Sequence, residues 1–206
     1  MFEGLPGASP TLPEATPEGE GDTKDPKMYS IDPVPVAAEA VDALKTYLRI
    51  ESDEEDALLA GLLTAAIRHG EGFTGQIFLR RSVTDRMAVS PAWQRLCATP
   101  VQAISSVTGL PAEGASFALS PPAYAIDIDG NGDGWVRVPS PGAAGRIDVA
   151  FVAGITADWE GLPETLRHGV LRLAAHLHAV RDDPRDPGPP AIVAALWRPW
   201  RRMRLG

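Results

Sequence analysis

Apolar positions recur along this chain with two different periods, and the places where the period changes divide it. Between Val41 and Gly75 the period is helical. Val41, Leu44, Tyr47 and Leu48 make a first stripe; Leu58, Leu59, Leu62, Leu63, Ala66, Ile67 and Phe73 make a second, broader one. Spacings of three and four residues place each set on one helix face, so two successive amphipathic helices are predicted. Ser52-Asp53-Glu54-Glu55 lies between them and has the composition of a capping box. In that motif the Ser52 hydroxyl accepts from the Glu55 amide, Glu55 reaches back to the Ser52 amide, and the acids face the positive end of the helix dipole. Thr74-Gly75 is the predicted stop, because glycine adopts the left-handed conformation freely.

From Gln76 the period becomes two. Ile77, Leu79, Val83, Met87 and Val89 alternate with Arg80, Ser82, Thr84 and Arg86, the signature of a strand. Ser90-Pro91 turns the chain, and Trp93 and Leu96 are expected to dock back on the core. Residues 104–108, 123–128, 135–138 and 146–152 read as further short strands, with Gly109, Pro111, Pro121, Pro122, Pro139, Pro141 and Gly142 in the gaps. The helical period returns at Leu162-Pro163-Glu164, with proline at the first helical position. Leu162, Leu166, Val170, Leu173, Leu177 and Val180 form its seam, and Asp182-Asp183-Pro184 is its expected end. Residues 185–190 read as a stiff linker, and a last short helix is expected to break at Pro199.

The expected fold class is therefore α+β: a mainly helical bundle with an inserted small antiparallel β-sheet section, a flexible N-terminal extension and a C-terminal tail. The expected divisions are an acidic, proline-rich extension over residues 1–35, a main domain over 36–197 and a basic, aromatic tail over 198–206. Within the main domain, helices occupy 37–75 and 162–181, a β-rich insertion 76–160, and a short helix 190–197. Residues 1–27 have almost no apolar side chains after Phe2 and Leu5 and cannot offset their ordering entropy by burial. They are either a solvated extension or an arm that orders on a partner.

Charge sharpens this division. Residues 1–56 hold 14 acids and 4 bases, a net −10, whereas the rest is close to neutral at +2. An overall −8 argues against a protein whose task is to grip nucleic acid, and is compatible with a surface that DNA passes without adhering. The single cysteine, Cys97, excludes an internal disulfide framework and fits a reducing compartment. No apolar run approaches the roughly 18–20 residues of a membrane span, and no signal-peptide pattern is visible, so a soluble intracellular protein is expected.

Candidate chemistry is sparse. Residues 127–134, Asp-Ile-Asp-Gly-Asn-Gly-Asp-Gly, offer oxygen atoms at the first positions of a calcium loop. The bidentate glutamate at position twelve is missing in both possible registers, where Val138 or Ser140 stands. Alternating strands flank the motif, and Asn-Gly and Asp-Gly suit a tight turn, so a hairpin tip is the reading preferred. His69, His168, His176 and His178 lack metal-ligand spacing. No nucleophile elbow accompanies the serines, Cys97 sits between apolar neighbours, and the acids at 53–56 diverge around a helix. No enzyme, metal or cofactor is expected.

The C-terminal end carries the clearest binding signal. Trp197, Arg198, Trp200, Arg201, Arg202, Met203, Arg204 and Leu205 combine indoles and guanidinium groups, the residue types enriched at interface hot spots, with no acid among them. Three readings stay open: docking into another protein, folding back on the chain's own core, or contact with nucleic acid. A deletion of residues 198–206 is expected to leave the domain nearly as stable as before.

Several stretches in order resemble the head-to-tail connector (adaptor) family of tailed bacteriophages, whose relatives also occur in gene transfer agents. They are the helix end Lys45-Thr46-Tyr47-Leu48-Arg49, the acidic start at 53–56 followed by leucines, and the close Phe73-Thr74-Gly75. Thr99-Pro100-Val101-Gln102-Ala103-Ile104, Tyr124-Ala125-Ile126-Asp127, residues 145–154 (GRIDVAFVAG), Leu162-Pro163-Glu164 and the final arginines follow. The resemblance covers residues 36–205. It implies a structural adaptor in the neck of a virion or phage-like particle, assembled in the host cytoplasm as a homo-oligomeric ring of twelve copies. Its C-terminal segment would bind the portal protein. Its other face would receive a downstream head-completion, stopper or tail protein, and DNA would traverse the lumen without specific binding. The alternative from another class is a small nucleic-acid-binding or regulatory module that uses the basic tail.

Overall fold

The computed structural model describes residues 28–180 and 189–202. The expectations for residues 1–27, for the helix end at Asp182-Asp183-Pro184, for most of the linker, and for Met203, Arg204 and Leu205 lie outside the described residues. Among the described residues there are four helices: α1 (Ala38–Leu48), α2 (Asp56–Thr74), α3 (Glu164–Ala179) and α4 (Ala191–Trp197). Eight strands accompany them: β1 (Met28–Ile31), β2 (Arg81–Ala88), β3 (Gln94–Arg95), β4 (Val101–Pro111), β5 (Phe117–Ala118), β6 (Ala125–Ile128), β7 (Gly134–Arg137) and β8 (Ala144–Ala153). They form a five-stranded antiparallel sheet in the order β1-β2-β8-β4-β5 and a three-stranded one in the order β3-β7-β6.

With 36% helix and 28% strand among the described residues, the expected mainly helical bundle with a small inserted sheet is overturned. The reason is visible in the packing. The strands carry a core of their own, built from Val83, Met87, Leu96, Val101, Val107, Val136, Val138, Ile147, Val149 and Phe151. The helices bury a separate cluster that includes Leu44, Leu59, Leu63, Ile67, Leu166, Val170, Leu173 and Trp197. The sheet is therefore one half of the molecule. Its extent was hidden because β3 and β5 are two residues long, and β1 is a short edge strand inside the stretch expected to be an extension, residues 1–35.

In β2 the burial alternates strictly: Arg81, Val83, Asp85 and Met87 point inward and Ser82 and Ala88 outward. β4 pairs with β8 through three register irregularities, which let a strand of eleven residues bend across the sheet. The second helix stops where predicted, with Gly75 at φ 71° and its amide bonded to the Glu71 carbonyl.

The start of α2 differs from the expected capping box. The N-cap residue is Glu55, which makes no side-chain cap, and the Ser52 hydroxyl accepts from the Glu54 amide at 3.1 Å in a local turn. Lys45, from the last turn of α1, takes over the joint: its ammonium pairs with Asp53 and, at 3.0 Å, with Asp56. The hydrogen bonds to Asp53 and Asp56 raise the Lys45 pKa above its ordinary value, and the bond from Lys45 lowers that of Asp53. Glu55 turns instead towards His178 on α3, with 3.4 Å between Oε2 and Nε2. Ser52→Ala is therefore expected to change the unfolding free energy by less than about 0.5 kcal/mol, an ordinary surface effect. A urea titration showing a loss of about 1 kcal/mol would restore the cap.

Candidate partner-binding surface at the C-terminus

The described residues of the C-terminal stretch begin inside the helical core and reach the sheet half at Arg202. Trp197 closes α4 and is 1% exposed. Its indole lies against the rings of Phe73 and Phe78, with centroids 6.1 and 6.3 Å away, and Nε1 donates to the Leu166 carbonyl at 3.3 Å. Trp197 is thus a core side chain, turned away from any partner. After it the chain makes a short 3-10 turn, Arg198–Trp200. Trp200 is half-buried against the same core, and its Nε1 donates to Thr165 Oγ1 at 2.9 Å. Its carbonyl accepts from Gln76 Nε2 at 2.6 Å.

Arg202 then crosses from the helices to the hairpin β6–β7. Its amide donates to the Thr74 carbonyl at 2.9 Å, at the end of α2. Its guanidinium donates to Asp133 Oδ1 at 2.6 Å, to Thr99 Oγ1 at 2.7 Å and to the Asn131 carbonyl. Arg95 of β3 donates to the same Asp133 oxygen at 2.7 Å. Burial by itself would push the Asp133 carboxyl up. The bonds from Arg95 and Thr99 and the field of Arg202 outweigh it and hold the group below its ordinary value. The tail of residues 198–202 is consequently a strap that joins the two halves, and the expectation that it can be removed without cost does not stand. Loss of Trp200 and Arg202 would leave an uncovered core edge and take from Asp133 one of its two guanidinium partners.

Two described cations of this stretch are exposed. Arg198 projects from the 3-10 turn, and Arg201 lies with its guanidinium carbon 5.8 Å from the centre of the Phe73 ring. The structure thus divides the predicted set. Trp197, Trp200 and Arg202 face inward, Arg198 and Arg201 face outward, and Met203, Arg204 and Leu205 lie outside the described residues.

The glycine-rich loop at 127–134 is a hairpin tip, as its flanking alternation predicts. β6 and β7 pair from Ala125–Arg137 to Ile128–Gly134. Asp129 organises the turn: Oδ1 accepts from the amides of Asn131 and Asp133 at 2.8 and 3.0 Å, and Oδ2 accepts from Trp135 Nε1 at 3.1 Å. The Trp135 bond, followed by the Asp133 amide, lowers the Asp129 pKa. The Asp129 and Asp133 carboxylates are thus engaged by N–H donors. Among the described residues no group of three or more histidine, cysteine, aspartate or glutamate side chains is placed to hold a metal ion.

Two buried polar contacts escaped the sequence reading. Glu71 on α2 pairs with Arg81 at the start of β2, and the same Glu71 oxygen accepts from the Phe78 amide at 2.9 Å. Asp85, fully buried in β2, accepts from the Cys97 amide at 2.7 Å. The signal was available, since Arg81 and Asp85 share the parity of Val83 and Met87 and so face inward with them.

No protein-family model matches the chain, and no curated protein matches it. Solved structures do. A chain in the neck of an empty gene transfer agent particle, computed with C6 symmetry, is 25% identical and superposes with a TM-score of 0.69 over 86% of this chain and 97% of its own. A chain in the virion of the native particle is 26% identical, with a TM-score of 0.62 over 86% and 97%. One in the native neck computed with C12 symmetry is 26% identical, with a TM-score of 0.63 over 85% and 97%. These neighbours are structural particle components, which fits the reading of a non-enzyme. The resemblance to head-to-tail connectors carried by the sequence is thereby borne out, and the chain is a structural neck component of a phage-like particle.

Proposed function

We propose that this protein is the adaptor that joins the portal of the capsid to the next neck component, as a closed ring through whose lumen DNA passes. The observation that carries the reading is the match over 97% of a neck chain whose particle is computed with C6 or C12 symmetry. Twelve copies satisfy both symmetries. A net charge of −8 is consistent with a channel wall that does not retain DNA. The portal-facing surface in this reading consists of Arg198 and Arg201 together with Met203, Arg204 and Leu205, while Trp197, Trp200 and Arg202 hold that surface in place. The opposite side of the ring receives a head-completion, stopper or tail protein.

The test is a pull-down of the full chain against purified portal and against duplex DNA, at low and high salt. Truncation is unsuitable because the strap is part of the fold, so the variant is the pair Arg198→Glu and Arg201→Glu. Portal capture is expected to weaken at least about tenfold, as loss of two interface arginines of about 1 kcal/mol or more each requires. Undiminished capture by the double variant would remove the portal-binding assignment. Loss of salt-sensitive DNA capture, with the protein partner kept, would favour the nucleic-acid module instead.

A further inference from the structure

A cleft of about 920 Å³ opens where the helical half meets the sheet half. Its walls come from β1 (Tyr29, Ile31), the end of α2 (Glu71, Phe73), the segment around Arg95 and Cys97, and the strap residues Arg201 and Arg202. The charged groups on these walls are one carboxylate and three guanidinium groups. Glu71 is already neutralised by Arg81. Arg95 and Arg202 share a single carboxylate, Asp133, so the pair retains excess positive charge. Arg201 adds another, exposed and lying over Phe73. Tyr29 is 55% exposed at the mouth, which leaves an aromatic face open beside these cations. The cleft thus presents cationic and aromatic walls with no matching acid of its own in the described residues.

The chain itself supplies a complementary segment. Residues 1–27 precede β1 directly and so enter the described fold beside Tyr29, at the mouth of this cleft. They contain six acids, Glu3, Glu14, Glu18, Glu20, Asp22 and Asp25, against two lysines. They also contain Pro6, Pro10, Pro13, Pro17 and Pro26, and proline pushes the residue before it towards extended backbone. Extended proline-containing chain suits a groove lined by aromatic side chains, and carboxylates suit guanidinium donors. At up to about 3.5 Å per residue the segment has ample reach.

We propose that the acidic stretch of residues 14–25 docks in its own chain's cleft, against Arg95, Arg201, Arg202 and the rings of Tyr29 and Phe73. The contact is a charged, rim-exposed one, so it is weak and sensitive to salt. The docking itself does not rest on the portal reading, since it is measured without any partner.

Hydrogen exchange on the full-length chain tests it. At low ionic strength the amides of residues 14–25 are expected to exchange about tenfold more slowly than an unstructured peptide of the same sequence. Protection is expected to vanish at about 1 M salt, where the screening length is a few ångströms, and in Arg201→Glu. Adding Glu18→Lys and Glu20→Lys to Arg201→Glu is expected to restore it. Unstructured rates at low salt would overturn the proposal. So would protection that persists in Arg201→Glu, or protection that rises with protein concentration, which would place the segment in the cleft of a second copy.

Discussion

Trp197→Ala is expected to lower the unfolding free energy by about 3–5 kcal/mol, the range for emptying a large aromatic site in a core. That is a large fraction of the roughly 5–15 kcal/mol that holds a domain together. The indole is the largest side chain buried below 2% exposure, and it ties α4 to α2 and α3 at once. The helices are shaped around it. A Cβ added at Gly169 would stand 2.2 Å from the indole nitrogen, and one at Gly70 would stand 2.7 Å from the Phe78 ring and 3.1 Å from Trp197. Two glycines inside helices are each unfavourable by roughly 0.5–1 kcal/mol against alanine, so here they buy a slot for the ring. Gly169→Ala is accordingly destabilising as well, by overpacking, on the order of 1–3 kcal/mol. Urea unfolding followed by tryptophan-independent circular dichroism measures both. A loss below about 1 kcal/mol for Trp197→Ala would mean that α4 does not close the helical core.

The helical half was legible because its signals are local and redundant. Leu59, Leu63, Ala66 and Ile67 are all buried, as their spacing requires, and Gly75 has the left-handed conformation that ends α2. The hairpin at 127–134 was legible for the same reason, since its turn residues and its flanking alternation agree. Other features depend on partners distant in sequence. Ser52 and Glu55 satisfy every local condition for a capping box, yet Lys45 draws Asp53 and Asp56 to itself and Glu55 turns to His178. The tail reads as a free hot-spot cluster, yet Trp197 is core and Arg202 is bound across the molecule to Asp133, 69 residues away along the chain. Tryptophan and arginine are favoured both in interfaces and in buried structural contacts, and composition alone does not separate the two. Of the predicted binding residues, Arg198 and Arg201 are the described ones left facing solvent.

Glu71→Ala is expected to destabilise the protein by about 3–5 kcal/mol, because it strands a buried guanidinium. The Glu71 and Arg81 side chains are 9% and 5% exposed, so water cannot replace the lost partner. The same substitution removes the acceptor of the Phe78 amide, and the Phe78 ring is itself fully buried against Trp197. Glu71 therefore fixes the chain at the point where α2 hands over to β2, the passage between the two cores. Two comparisons separate charge from packing. Arg81→Met alone leaves the carboxylate buried without its cation and is expected to cost a similar amount. Glu71→Gln with Arg81→Met removes both charges, keeps an acceptor for the Phe78 amide and preserves most of the volume, so it is expected to recover the greater part of the loss. If the double variant were as unstable as the sum of the single ones, the pair would be two independent packing sites. Recovery in the double variant instead identifies the ion pair as a coupled clasp, in which each charge is tolerated inside the molecule because the other is there.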